Sequence, residues 1–257
     1  MLKLKNYMVA SVIAVLTLFS FNLKAETKEQ ITVIFNGKAG GSYNARTQLY
    51  KDGLIAAGFD VSEERMKIKQ AVKLFKETDK PTIMVFSNNM VHRYDLFHNS
   101  ENFIMVEYQQ PLWICTANSS KGKDSMTVAH GKFYNVDLIR QIIGDNVTLV
   151  AYKNSSAMLK GILGGDVDMM VNNQGKSFKY MASGEGTCEP STQLPIMQAT
   201  VMGTNLDIAK IRNVIFDISM STDFIEYHTT RKLERPSSTW EKELAEVQTL
   251  EKAWKVD

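Results

Sequence analysis

The sequence predicts an α/β protein, and three observations predict it. The stretch from Val147 to Asn172 reads as strand, polar turn, helix, glycine pair and second strand, which is a βαβ unit. The strand, polar turn, helix order recurs at Ile31 to Ala57 and at Ser125 to Ile143. The 257 residues, 44% hydrophobic and 23% charged, suffice for one large domain or two lobes with real cores.

Residues 1–25 are expected to be an export signal. Lys3 and Lys5 open it, Met8 to Phe21 is its apolar run, and Leu23-Lys24-Ala25 precedes Glu26 as the cleavage site. An uncleaved anchor is the alternative reading. The segment predicts export. Net charge is +2, and removing Lys3, Lys5 and Lys24, with no acid before Glu26, leaves about −1. That balance offers no electrostatic case for nucleic acid or an anionic membrane surface. Export permits a disulfide between Cys115 and Cys188, and the sequence leaves its geometry open.

The elements follow in order. Ile31 to Phe35 reads as a strand that enters a glycine-rich turn, with a helix over Ala45 to Ala57. Gly40, Gly41, Ser42, Tyr43 and Asn44 lie at that helix start, where free N–H groups and the helix dipole suit an anion. The turn has neither the P-loop nor the dinucleotide spacing, and a ligand-free βα turn is the alternative. A short strand over Phe59 to Glu63 and a helix over Ile68 to Glu77 precede the strand Thr82 to Phe86, which ends in Ser87-Asn88-Asn89. Small polar residues at a strand end supply neutral hydrogen-bond donors, or simply a cap. His92, Arg93 and His98 read as a solvated helical face rather than metal ligands.

Phe103 to Val106 and Leu112 to Ala117 read as strands. Ser125 to Ala129 is another, followed by His130, Gly131, Lys132, Phe133, Tyr134 and Asn135 and a helix over Val136 to Ile143. Val147 to Ala151 reads as a short, largely buried strand. The turn Tyr152, Lys153, Asn154, Ser155 follows, with Asn154 or Ser155 as N-cap of the next helix. Gly164-Gly165 ends that helix, and the strand over Val167 to Val171 runs into Asn172-Asn173. Pro195 to Val201 reads as a returning strand, and Asp207–Met220, Thr222–Arg231 and Trp240–Trp254 as amphipathic helices. There is no internal sequence repeat.

Two of these stretches carry a family resemblance. VAYKNSS and LGGDVDMM are similar to the V-P-Y-K-G-S and L-G-G-x-V-D words of the receptors of tripartite tricarboxylate transporters, with Ala151 and Asn154 in place of proline and glycine. GGSYNAR, Gly40 to Arg46, resembles their G-G-x-x-D-x-x-A-R word, with Asn44 at or beside the aspartate. The chain departs from the family at His130 to Tyr134, bulkier than the small residues usual there, and lacks the family's proline words near Gly203.

The resemblance implies a two-lobed periplasmic-binding-protein type II architecture. Lobe 1 would span 26–115, lobe 2 116–195, and 196–257 would return to lobe 1. It implies a receptor that holds a small organic anion, a carboxylate, in an interlobe cleft and delivers it to integral-membrane transporter subunits. A monomer without cofactor is expected, and not an enzyme. The ligand set would be Gly40, Gly41, Ser42, Tyr43, Asn44, Ser87, Asn88, His130, Gly131, Phe133, Tyr134, Tyr152, Lys153, Asn154, Ser155 and Asn172. Uncharged donors are expected to do the holding, with Lys132 and Lys153 as candidate cations or solvent-facing rim lysines, the rim being the favoured reading for Lys132. A soluble sensor partner of a membrane kinase is the alternative. A secreted enzyme is a third reading, against which stand the lack of a G-x-S-x-G word and of a helix-spaced histidine pair.

Overall fold

The computed structural model describes residues 28–36, 42–87, 91, 94–132, 134–236 and 238–253, so the expected export signal lies outside the described residues. Two five-stranded sheets form the molecule. The first contains β1 (Gln30–Asn36), β2 (Asp60–Met66), β3 (Thr82–Ser87), β4 (Phe103–Gln110) and β10 (Met197–Thr204), in the order β2-β1-β3-β10-β4. The second contains β5 (Leu112–Ala117), β6 (Met126–Gly131), β7 (Val147–Tyr152), β8 (Met169–Asn173) and β9 (Gly186–Pro190), in the order β7-β6-β8-β5-β9.

The two sheets share one plan. In each, the first three strands run parallel, and the next strand inward is antiparallel and arrives from the other lobe: β10 in the first sheet, β5 in the second. The architecture therefore repeats where the sequence does not. Burial, not residue identity, is what the two halves have in common. The chain changes sheet between Gln110 and Leu112, and again between Pro190 and Met197. The expected boundary at 115/116 falls inside β5, which pairs wholly within the second sheet, so the crossing is at Pro111 instead.

The helices are α1 (Ser42–Ala56), α2 (Ile68–Glu77), α3 (Val136–Ile143), α4 (Ser155–Leu163), α5 (Gln174–Ser183), α6 (Ile208–Ser219), α7 (Thr222–Thr230) and α8 (Trp240–Ala253). Side chains fix several of their starts. Asn135 accepts from the N–H groups of Asp137 and Leu138, Asn154 from Ala157, Asn173 from Lys176, and Asp207 from Lys210. α5 stops at Gly184, whose φ of 76° is a left-handed conformation that a side chain would resist.

Central strands are apolar on both faces. Ile31, Val33 and Phe35 of β1 join the core against α1, α6 and α7, while Ile34 joins the core with Ala71, Val72 and Phe75 of α2. In the second sheet Met169 and Val171 face one core and Met170 the other. β7 departs from expectation. Thr148 and Ala151 are exposed and its other residues half-buried, because β7 is an edge strand that pairs only with β6.

Cys115 and Cys188 stand opposite each other in the β5–β9 register and form a disulfide. His98 is not on a solvated helical face. It is 2% exposed, its Nδ1 meets Glu251 of α8, and its Nε2 meets Thr200 Oγ1 at 2.7 Å. This contact and the hydrogen bond from Val106 N–H to Glu243 Oε2 (2.9 Å) pin α8 against edge strand β4. His92 and Arg93 lie outside the described residues. Among the described residues, no helix is long and apolar enough to cross a membrane.

Candidate functional site

Between the sheets lies a cleft of about 760 Å³. It opens beyond the carboxyl ends of β3, β6, β7 and β8, where open α/β sheets bind ligands. Ser87, Gly131, Tyr152 and Asn173 close those four strands and all line it.

The second-lobe wall is a hydrogen-bonded polar turn. Asn172, fully buried, donates through Nδ2 to the Ser155 carbonyl (3.0 Å), and Asn173 Nδ2 donates to Ser155 Oγ (3.0 Å) while its Oδ1 caps α5. The two asparagines at the end of β8 thus tie the starts of α4 and α5 together, and both starts present Ser155, Ser156, Gly175 and Lys176 to the cleft. Tyr152 lies across Gly161 of α4. A Cβ there would stand 2.5 Å from the phenol oxygen, so the glycine sets the tyrosine's position.

The first-lobe wall is built around Arg46, one turn into α1. It is 2% exposed, with its guanidinium 4.5 Å from the Tyr43 ring centre and 4.7 Å from that of Tyr108. Its Nε lies 2.9 Å from Glu107 Oε1, a close ion pair without the alignment of a hydrogen bond. Glu107 is fully buried and also lies 3.4 Å from His228 Nε2. Arg46 Nη2 has no hydrogen-bond partner among the described residues. Burial opposes the charge on Arg46, but Glu107, with help from Tyr108 and Tyr43, outweighs it and holds the guanidinium cationic. Burial pushes Tyr43 up to about 12 and raises Tyr134 and Tyr227 too, so these phenols remain neutral hydroxyls.

The cleft is electrostatically one-sided. Arg46, Lys132, Lys153, Lys176, Lys179 and Arg231 line it, and no aspartate or glutamate does among the described residues. Burial, and secondarily Lys179, pushes the Lys176 ammonium down. Neutral donors and six cations therefore share the surface.

Of the residues singled out from sequence, Tyr43, Ser87, Gly131, Tyr134, Tyr152, Lys153, Asn154 and Ser155 come together on the cleft. Three do not line it: Asn44 is buried on α1, His130 is buried with its Nδ1 donating to the Gly131 carbonyl (2.9 Å), and Asn172 acts behind the turn. Gly40, Gly41, Asn88 and Phe133 lie outside the described residues, and Ser42 is placed only as the first residue of α1. Sequence reasoning missed Tyr108, Gln110, Lys176, Lys179, Tyr227 and Arg231. Arg46 stood inside a quoted word, and its place one turn after Tyr43 was the one available signal. The others sit on ordinary strands and helices that mark nothing locally.

No family model matches the sequence, and no curated protein matches it. Solved structures do match its fold. A TctC solute-binding protein from Polaromonas, without ligand, matches with a TM-score of 0.64 at 9% identity, over 90% of this chain and 97% of that one. R. palustris Rpa4515 with adipate matches at 0.64 and 13% identity, over 90% and 96%. A histidine kinase sensor domain with similarity to periplasmic binding proteins matches at 0.53 and 9% identity, over 82% and 98%. At these identities the likeness is one of fold, the two-lobed type II architecture, and the matched proteins are binding proteins and a sensor domain rather than enzymes.

Proposed function

We propose that this chain is a periplasmic solute-binding protein that captures a small organic anion, a carboxylate bearing more than one negative charge, and delivers it to membrane transporter subunits. One observation carries the reading: six cationic side chains and, among the described residues, no carboxylate line the cleft, with Arg46 buried in a tyrosine sandwich. Charge alone would draw any anion. The polar turn at Asn154 to Ser156 and the tyrosine hydroxyls add fixed donors that hold carboxylate oxygens in particular directions. Among the described residues the chain passes from sheet to sheet at Pro111 and again over 191–196, and Gln174 and Phe178 of α5 also touch Lys232, so closure over the ligand would be a hinge motion about those segments.

Rpa4515 holds adipate on the same fold, which supports a carboxylate. The likeness to a kinase sensor domain supports a second reading, in which the same capture informs a membrane kinase. Calorimetry of the chain from Glu26 against adipate, malate, citrate and their neutral amides tests the capture itself. Saturable binding of carboxylates but not amides is expected, with the ligand recovered unchanged. Equal binding of amides, or none by any carboxylate, ends the proposal. Loss of carboxylate uptake on deleting the gene favours delivery, and loss of a transcriptional response with uptake intact favours sensing.

A further inference from the structure

A buried histidine stands one layer behind the first-lobe wall. The ring of His228 on α7 stacks on Phe224 at 4.3 Å and lies 5.5 Å from Tyr227 and 6.3 Å from Tyr108. Tyr108 and Tyr227 line the cleft and His228 does not, so any effect of the imidazole on a ligand passes through that wall.

Its contacts fix where its protons belong. Nδ1 lies 2.9 Å from the Phe224 carbonyl, which can only accept, so Nδ1 carries a hydrogen. In a neutral ring Nε2 would then be a bare acceptor. Yet Nε2 faces Glu107 Oε1, a second acceptor, at 3.4 Å. Two buried acceptors offer each other nothing, and the approach turns attractive only with a proton between them. Arg46 Nε stands 2.9 Å from the same oxygen, and a protonated carboxyl would forfeit that ion pair. The geometry therefore asks for the proton on Nε2.

The other charged and titratable groups around this assembly are Tyr50 of α1, Tyr108 of β4, Tyr227 and Arg231 at the end of α7, and Arg235 beyond it. Glu107 is the only carboxylate among them. Arg46 and an imidazolium thus divide one counter-ion, and a positive charge is left unmatched beneath the tyrosines. Loss of the Nε2 proton returns Glu107 to Arg46 alone.

We infer that His228 is a positioning residue of the anion site, which as the imidazolium shares Glu107 with Arg46 and so links anion capture to a proton on Nε2. The inference rests on the reading of the cleft as an anion site. Anion and proton each favour the other, so carboxylate affinity falls as pH rises through the range in which imidazole loses its charge.

Calorimetry of malate and adipate binding to the chain from Glu26, between about pH 6.5 and 8 and in buffers of different ionisation heat, tests it. Both probes stay dianions there. Affinity should fall at least about fivefold across the range, with net proton uptake on binding. His228→Gln keeps a donor toward Glu107 and carries no charge; it should lower affinity at the acid end and abolish both slope and uptake. Lys176 lines the cleft with a lowered ammonium, and Glu243 is raised to about 7, so a slope that survives the substitution belongs elsewhere and overturns the inference. Long-range proton–nitrogen spectra of the ligand-free native chain do not depend on the variant. At the acid end the imidazole in contact with Phe224 should carry both hydrogens, and the one lost on raising the pH should be that on Nε2. A neutral ring there overturns the inference. If neither probe binds at any pH, the capture reading falls as well; binding that is flat with pH and takes up no proton ends this inference alone.

Discussion

Substituting Glu107 by Gln tests the electrostatic design of the cleft, because it keeps shape and removes one charge. Arg46 and Glu107 are 2% and 0% exposed and approach to 2.9 Å. At an effective dielectric near 20, Coulomb attraction at that distance is worth about 6 kcal/mol. Desolvation of both groups offsets much of it, but removing a single partner strands the other, and such losses run to about 3–5 kcal/mol. Urea unfolding in anion-free buffer should therefore show Glu107→Gln less stable by about 3–5 kcal/mol. With the charge of its internal partner gone, Arg46 gains more from a bound anion. The carboxylate that binds tightest in calorimetry should then stabilise the variant more than the native chain, by at least about 1.4 kcal/mol, a tenfold gain in affinity. An Arg46→Met, Glu107→Gln double variant should regain most of the stability and lose the affinity, because it leaves no uncompensated charge. A loss below about 1 kcal/mol in the single variant would refute the buried pair. An anion that stabilises variant and native chain equally would refute the placement of Arg46 against the ligand.

Three other expectations rest on separate contacts. Gly161→Ala drives a methyl group to within 2.5 Å of the Tyr152 hydroxyl, so carboxylate affinity should fall several-fold while circular dichroism stays unchanged; native affinity would show that Tyr152 does not hold the ligand. Replacing both Cys115 and Cys188 by Ala opens a link across 73 positions, which by chain entropy should cost about 4 kcal/mol in urea unfolding. Ligand affinity should hardly move, because the bond joins β5 to β9, on the far side of the sheet from β6 and β7; an unchanged urea midpoint would contradict this. Burial raises the Glu243 carboxyl to about 7, against the opposing hydrogen bond from Val106. The folded state thus favours the proton, so this stability is full below about pH 4.5 and is lost as pH rises through 7, a loss of about 3 kcal/mol. Glu243→Gln should abolish that slope and raise the urea midpoint at pH 8; an unaltered pH profile would place the titration elsewhere.

The α/β class was written in short-range signals. The apolar run Ile31 to Phe35, the Asn154 cap and the glycines at the end of α4 are set by residues within a few positions of one another, and the structure follows them closely. The errors fell where a strand's partner decides its environment. β7 carries the apolar residues of a buried strand, yet stands at a sheet edge, and β5 belongs to the lobe it enters rather than the one it leaves. His98 looked solvated because its partner, Glu251, is more than half the chain away.

By itself, then, the sequence determined the elements, their order and the strand-to-helix turns at which a cleft could form, since each depends on neighbouring residues and backbone geometry. Tertiary structure alone decided the character of that cleft. Arg46 and Lys176 come from helices widely separated along the chain, Arg231 from the residue just past another, and Glu107 sits on a strand that reads as plain core. Electrostatic attraction depends on distance in space, which a near-neutral composition averages away and only folding restores.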